Sequence, residues 1–346
     1  MPLVKTILFA ADFSDSSRQA FRLACSLARE GESRILVVHV LEAVHIVMEP
    51  IVSGQSAARF SIDERYGGYH EAVKERLRET YVPNSQIDIQ YQTRDGAPAE
   101  EILRAAEEIG ADLIAMGTHG RTGLSRIRAG SVAETVLREA RCPVLALRST
   151  DSVKEPARDV RVILAAIDFS DDSEDAARVA RSIAAHLGAR LVLLYVAPMD
   201  VVVPGVVPMV FDLQPDRDSL AALKTQLEGP DLKAPIEVVL RQGVAASEIL
   251  SEAETMGCDL IVIGTHGRTG VVRLLMGSVA ETVLRRASCP VLMIKPAAHV
   301  RRSTAESELY QGSTHTTDGD TPPSPSVTPT SSVSDLSAKS KTGTHH

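Results

Sequence analysis

Residues 112–148 read DLIAMGTHGRTGLSRIRAGSVAETVLREARCPVLALR, and residues 259–295 read DLIVIGTHGRTGVVRLLMGSVAETVLRRASCPVLMIK. The two stretches keep step throughout: Gly117 answers to Gly264, Gly130 to Gly277 and Cys142 to Cys289, each 147 residues on. Each opens on an apolar run of strand length and passes through a glycine-rich turn, GTHGRTG. Each then reaches GSVAETVLR, with apolar positions at helical spacing, and closes on a short apolar run after CP. A strand–loop–helix–strand unit written twice at one spacing predicts a duplicated α/β domain.

Working outward, ILFAADFS around Asp12 matches ILAAIDFS around Asp168, 156 residues on. The offset therefore shrinks by nine, which places a net deletion in the second copy. It falls against the stretch between Val40 and Gly96, where the first copy carries a longer segment through 53–55 and 66–69. Strands are expected at 5–11, 34–40, 87–91, 112–117 and 143–147. Helices are expected after Ser14 and Asp15, which offer caps, and over 71–79, 99–109 and 131–140. In the second copy the strands fall at 160–167, 190–196, 236–240, 259–264 and 290–294. Strands separated by helices mean βαβ units and a mainly parallel, doubly wound sheet in each copy. Two domains follow, 1–149 and 158–296, joined by the polar linker TDSVKEPARD. Residues 297–346 form a tail. From Ser303 onward it is rich in Ser, Thr, Pro and Gly, cannot bury enough apolar surface to offset its ordering entropy, and is expected to be disordered.

Composition agrees with this plan. The chain has 346 residues, 44% hydrophobic and 24% charged, and no tryptophan, so its cores must be built from aliphatic side chains. That bias suits parallel strands covered on both faces. The formal net charge of −8, with both signs scattered, argues against a nucleic-acid surface, which needs a clustered basic face. No apolar run reaches the length of about 20 residues that a membrane span requires. The N-terminus lacks a basic region and a cleavage site, so a signal peptide is not expected. Cys25, Cys142, Cys258 and Cys289 form no CxxC pair and read as reduced thiols in a cytoplasmic protein.

In a doubly wound sheet, ligands bind beyond the carboxyl ends of the strands. The repeated glycines fall there. Gly117 ends a strand, Gly120 lies in the following turn, and Gly130–Ser131 opens a helix, whose free N–H groups and positive dipole end suit a phosphate. The Ser131 hydroxyl adds a donor, Arg121 or His119 could neutralise charge, and Asp12 is placed to accept from ribose hydroxyls. Each residue has a plainer role too: Asp12 as a turn residue, Ser131 as a helix cap, Gly123 and Gly130 as loop glycines. The joint pattern G-x2-G-x9-G-S, present twice, favours nucleotide binding.

With its flanks DLIAMGTHG or DLIVIGTHG, GSVAETVLR and CPVL, this pattern resembles the ATP-binding branch of the universal stress protein family, over roughly 3–148 and 160–295. The resemblance implies strand order 3-2-1-4-5 in each half. It also implies an antiparallel pairing of last strands that one chain would supply to itself as an intramolecular pseudo-dimer, with a homodimer left open. The implied cofactor is ATP, with Mg2+. Carried across, phosphate contacts fall on Gly117, Gly120, Gly130 and Ser131, with Thr118, His119, Arg121, Thr122 and Gly123 lining the loop and Val132 also among the ATP-binding positions. Asp12 would face the adenosine and Val40 the adenine. The second copy matches at Asp168, Val196, Gly264, Thr265, His266, Gly267, Arg268, Thr269, Gly270, Gly277, Ser278 and Val279. Ala10 and Ala166 stand where many ATP-binding members carry proline.

Dedicated catalysis is not expected. The chain has no GxxxxGK[ST] loop and no GxGxxG loop, and Glu134 and Glu281 read as first-turn helix residues rather than bases. A nucleotide-dependent stress regulator is the leading reading; a slow ATPase or other ATP-using enzyme, and an interaction scaffold with vestigial loops, are the alternatives.

Overall fold

The structure, a computed structural model, describes residues 4–28, 32–42, 62–83, 86–118, 131–148, 160–199, 214–266 and 276–295. The expected tail, the linker and the loop residues 119–130 and 267–275 lie outside the described residues.

The first half runs β1 (Thr6–Ala10), α1 (Asp15–Leu27), β2 (Arg34–Leu41), α2 (Ile62–Thr80), β3 (Asp88–Asp95), α3 (Pro98–Glu108), β4 (Leu113–Gly117), α4 (Ser131–Glu139) and β5 (Val144–Leu147). The second repeats it as β6 (Val162–Ile167), α5 (Asp171–Leu187), β7 (Arg190–Ala197), α6 (Gln214–Leu227), β8 (Glu237–Gln242), α7 (Ala245–Thr255), β9 (Leu260–Gly264), α8 (Ser278–Arg286) and β10 (Val291–Ile294). Two expectations shift. α2 starts nine residues before its expected beginning at 71, and β3 runs four residues beyond 91. α2 has 19 residues against 14 in α6, and the expected extra residues 53–55 lie outside the described residues.

The ten strands among the described residues form one sheet, in the order β3-β2-β1-β4-β5-β10-β9-β6-β7-β8. Each half thus has the order 3-2-1-4-5, and the pairing is parallel everywhere except at the β5–β10 seam. Strand alternation divides the core between the two faces. Ile7 and Phe9 point to the side covered by α1, α2, α5 and α6; Leu8 and Ala10 point to the side covered by α3, α4, α7 and α8. Both apolar layers run across the seam, so the two halves share one core. At each half's lower rim an aspartate joins neighbouring strands: Asp112 Oδ2 accepts from the N–H groups of Lys5 and Thr6, and Asp259 Oδ2 from those of Arg161 and Val162.

The seam is locally two-fold. Leu145 faces Leu292, and these are the same position in the two copies. The residues after the paired strands, Arg148 and Lys295, are counterparts as well. Each reaches across to the end of the other half's helix: Arg148 Nη1 donates to the carbonyl of Arg285 in α8, and Lys295 Nζ to those of Leu137 and Arg138 in α4. A cation at a helix C-terminus satisfies orphan carbonyls and complements the dipole. Burial pulls the Lys295 ammonium down to about 8.

Candidate functional site

The turn after β1 is built around a strained residue. Phe13 has φ 64, and its counterpart Phe169 has φ 61, a left-handed conformation that a bulky side chain rarely adopts. In the first half the surroundings enforce it. The Phe13 N–H donates to the buried hydroxyl of Tyr81 at 2.8 Å, its carbonyl accepts from Arg18 Nη1 at 2.8 Å, and the Arg76 guanidinium lies 4.4 Å from its ring centre. Asp12 comes immediately before. Its Oδ1 accepts the Ser14 N–H at 2.8 Å, while Ser14 caps α1 through the N–H of Ser17. Asp12 is therefore a turn residue in a half-buried position at the carboxyl edge of the sheet, and the cap is Ser14. Asp168 repeats this, accepting from the Ser170 N–H at 3.0 Å beside the Ser170 cap of α5.

β4 and β9 end against the first turns of α1 and α5. A Cβ on Gly117 would stand 2.8 Å from Ser16 Oγ and 3.0 Å from the Ser17 nitrogen; on Gly264 it would meet the backbone of Asp172 at 3.1 Å. These two positions are glycine because a helix crosses them. Thr118 and Thr265 follow, both buried, and their N–H groups extend the sheet to Leu147 and Ile294.

In the second half the far end of the loop is also in place. The Gly277 N–H donates to the Thr265 carbonyl at 2.8 Å, so the chain returns to the strand it left. A Cβ on Gly277 would press on that carbonyl at 3.1 Å. Gly277 is the N-cap of α8, which leaves exposed Ser278 as the first helical residue rather than the cap. Glu281 pairs with Arg285 along the same helix at 2.5 Å, in keeping with a first-turn role. Ala166, Val196 and Val279 lie on one face of the sheet, as do Ala10, Val40 and Val132 in the first half. Ser131 opens α4 and is exposed. The remaining expected loop residues, His119, Gly120, Arg121, Thr122, Gly123 and Gly130, and Gly267, Arg268, Thr269 and Gly270, lie outside the described residues.

The sequence pattern of the Universal stress protein family matches residues 4–148 and again 159–295. The chain belongs to the universal stress protein family. Universal stress protein Rv2005c of Mycobacterium tuberculosis is 28% identical over 289 residues, spanning 81% of this chain and 95% of its own. Universal stress protein MJ0531 of Methanocaldococcus jannaschii is 35% identical over 146 residues, 42% of this chain and 83% of its own, the size of one half. The crystal structure of a universal stress protein from Archaeoglobus fulgidus superposes with a TM-score of 0.60 at 23% identity, covering 84% of this chain and 98% of that one, which shows the fold.

Three features of this universal stress protein escaped the sequence pattern. Tyr81 anchors the Phe13 turn from just past the end of α2, 64 residues beyond Ser17, whose hydroxyl it also meets at 2.9 Å. Asp172 stands at the position of Ser16 and reaches His266. The Arg148 and Lys295 contacts join opposite halves. The one available signal was a difference between the copies, Ser16 against Asp172. The four cysteines are free, and burial raises them, Cys25, Cys142 and Cys289 to about 12 and Cys258 to about 11. They are unreactive packing residues. No helix among the described residues is long and apolar enough to cross a membrane.

Proposed function

We propose that each half of this universal stress protein binds an adenine nucleotide, ATP with Mg2+, and that the chain is a nucleotide-dependent stress regulator with no dedicated catalytic apparatus. The return of Gly277 to the Thr265 carbonyl carries the reading. It brings a helix N-terminus, with its unpaired N–H groups and an exposed serine hydroxyl, to the carboxyl end of β9, beside a close approach where a Cβ would meet the Asp172 backbone at 3.1 Å. Asp168 lies one strand away at the same edge, since β6 pairs with β9. The small side chains of Ala166 and Val196 provide apolar ground for a base. The first half offers Asp12, Ala10, Val40 and Ser131 in matching places.

Bound nucleotide would supply a polyphosphate charge, with Mg2+ carried on its own oxygens. The residues named here bind and orient it. Two domains, 1–149 and 158–296, then each hold one site within the shared sheet, in a cytoplasmic protein whose thiols stay reduced. Nucleotide released on denaturing freshly purified protein, identified by chromatography, tests the reading. ATP at about 100 times its dissociation constant should also stabilise the fold by about 2.7 kcal/mol per independent site. No bound nucleotide, together with no thermal shift from ATP, ADP or AMP, would refute it.

A further inference from the structure

The two helices that open on the nucleotide sites, α4 and α8, are short, nine residues each. A helix of that length does not hold itself together in water, so what grips it sets its place. One face of each is packed, through Ala133, Val136 and Leu137 in α4 and through Ala280, Val283 and Leu284 in α8. The C-terminal end of each is held by the other half. Lys295 Nζ donates to the carbonyls of Leu137 and Arg138, the latter at 3.2 Å, and Arg148 Nη1 donates to that of Arg285. Lys295 is 7% exposed, so these carbonyls take the place of water around its ammonium. Each holding residue is also tied to the strand end of its own half. Ile294, just before Lys295, accepts the Thr265 N–H, and the Thr265 carbonyl accepts the Gly277 N–H at the start of α8. Leu147, just before Arg148, accepts the Thr118 N–H. The segment that closes one site thus carries the side chain that holds the other site's helix.

We propose that Lys295 is a positioning residue of the first nucleotide site and Arg148 of the second, so that each half's phosphate helix is set by a cation from the other half. The inference rests on the nucleotide reading above. Nine helical residues span only about 13 Å, and their hydrogen-bonded backbone moves as one piece. Releasing the C-terminal end therefore lets the N-terminal end shift and tilt. The N–H groups there serve a phosphate only while aimed at it, because a hydrogen bond weakens steeply as its angle closes. Neither cation touches nucleotide; each acts through the helix it holds. The base and ribose would rest on strand residues such as Ala10, Asp12 and Val40, which neither cation contacts, so the effect falls on the phosphates.

The test titrates ATP and adenosine into the full chain by calorimetry, with one site silenced at a time. Gly277→Glu leaves the first site to report, and Gly130→Glu the second. Lys295→Met keeps an unbranched stem in the buried position and removes the donor. It should weaken ATP about three- to tenfold at the first site, the scale of one hydrogen bond, and leave the second unchanged. Arg148→Met should do the reverse, and adenosine affinity should hold in both. A merely structural role would not produce this crossed pattern. Lys295→Arg, which installs the first half's own residue, should recover most of the lost affinity. Arg148 is only half-buried, so its variant keeps the test alive if Lys295→Met fails to fold. ATP weakened in the mutated residue's own half, at both sites equally, in parallel with adenosine, or not at all would overturn the positioning role and leave the nucleotide reading standing. No ATP bound by the wild type would overturn both.

Discussion

Phe13 and Phe169 occupy a backbone conformation that costs a non-glycine residue about 1–3 kcal/mol, and it persists because neighbours over-determine it. Its effect is to set Asp12 and Asp168 at the sheet's carboxyl edge. In the first half Tyr81 is the deepest of those neighbours, with 0% exposure. Tyr81→Phe keeps the ring packing against Phe9, Phe13 and Phe21 but leaves the Phe13 N–H without its acceptor. We expect a loss of about 1–3 kcal/mol in urea denaturation. An unchanged midpoint would mean that Tyr81 is only filling space. At this scale the sequence was readable where a role is local. Ser14 three residues before Ser17 announces a cap, and the repeated DFS announces a turn. Tyr81 and Asp172 were not readable, because their partners come from elements that only the folded sheet brings together.

At the scale of elements, strands and helices followed from apolar spacing, since nearly every strand is covered on both faces. The beginning of α2 did not follow: Gly67 and Gly68 lower helix propensity there, and the apolar repeat starts only later. The latch at the helix ends was equally hidden, since Arg148 and Lys295 look like ordinary charges closing a strand. Lys295 makes the latch testable by pH. Its folded value is about 8 against an ordinary 10.5, so between these values the unfolded chain binds more protons than the native one. Lys295 therefore makes stability rise with pH across that window, by about 2 kcal/mol from pH 7.5 to 9.5. Other groups titrate there too, so the quantity to follow is wild type minus Lys295→Met in denaturant melts. A difference that stays flat over that range would show the ammonium to be better solvated than its surroundings indicate.

For the molecule as a whole, the tandem repeat places a locally two-fold seam inside one chain. Because Leu145 and Leu292 are counterparts, the β10 edge that meets β5 is complementary to a second copy of itself. Residues 160–296 expressed alone should therefore form a dimer through β10 in light scattering, and Leu292→Lys should reduce it to a monomer. A wild-type half that stays monomeric would show that the seam depends on differences between the copies. The ten-stranded order was legible because the repeat showed two copies of one α/β unit, while the family resemblance supplied both the strand order within each half and the antiparallel join.

The central claim is that both halves hold nucleotide, and calorimetric stoichiometry tests it most directly. Wild type should saturate at two ATP per chain. Gly130→Glu and Gly277→Glu each put a bulky anion where a phosphate should meet a helix N-terminus, so each should titrate to one, and the double variant to none. ATP binding that survives in a correctly folded double variant would contradict the account.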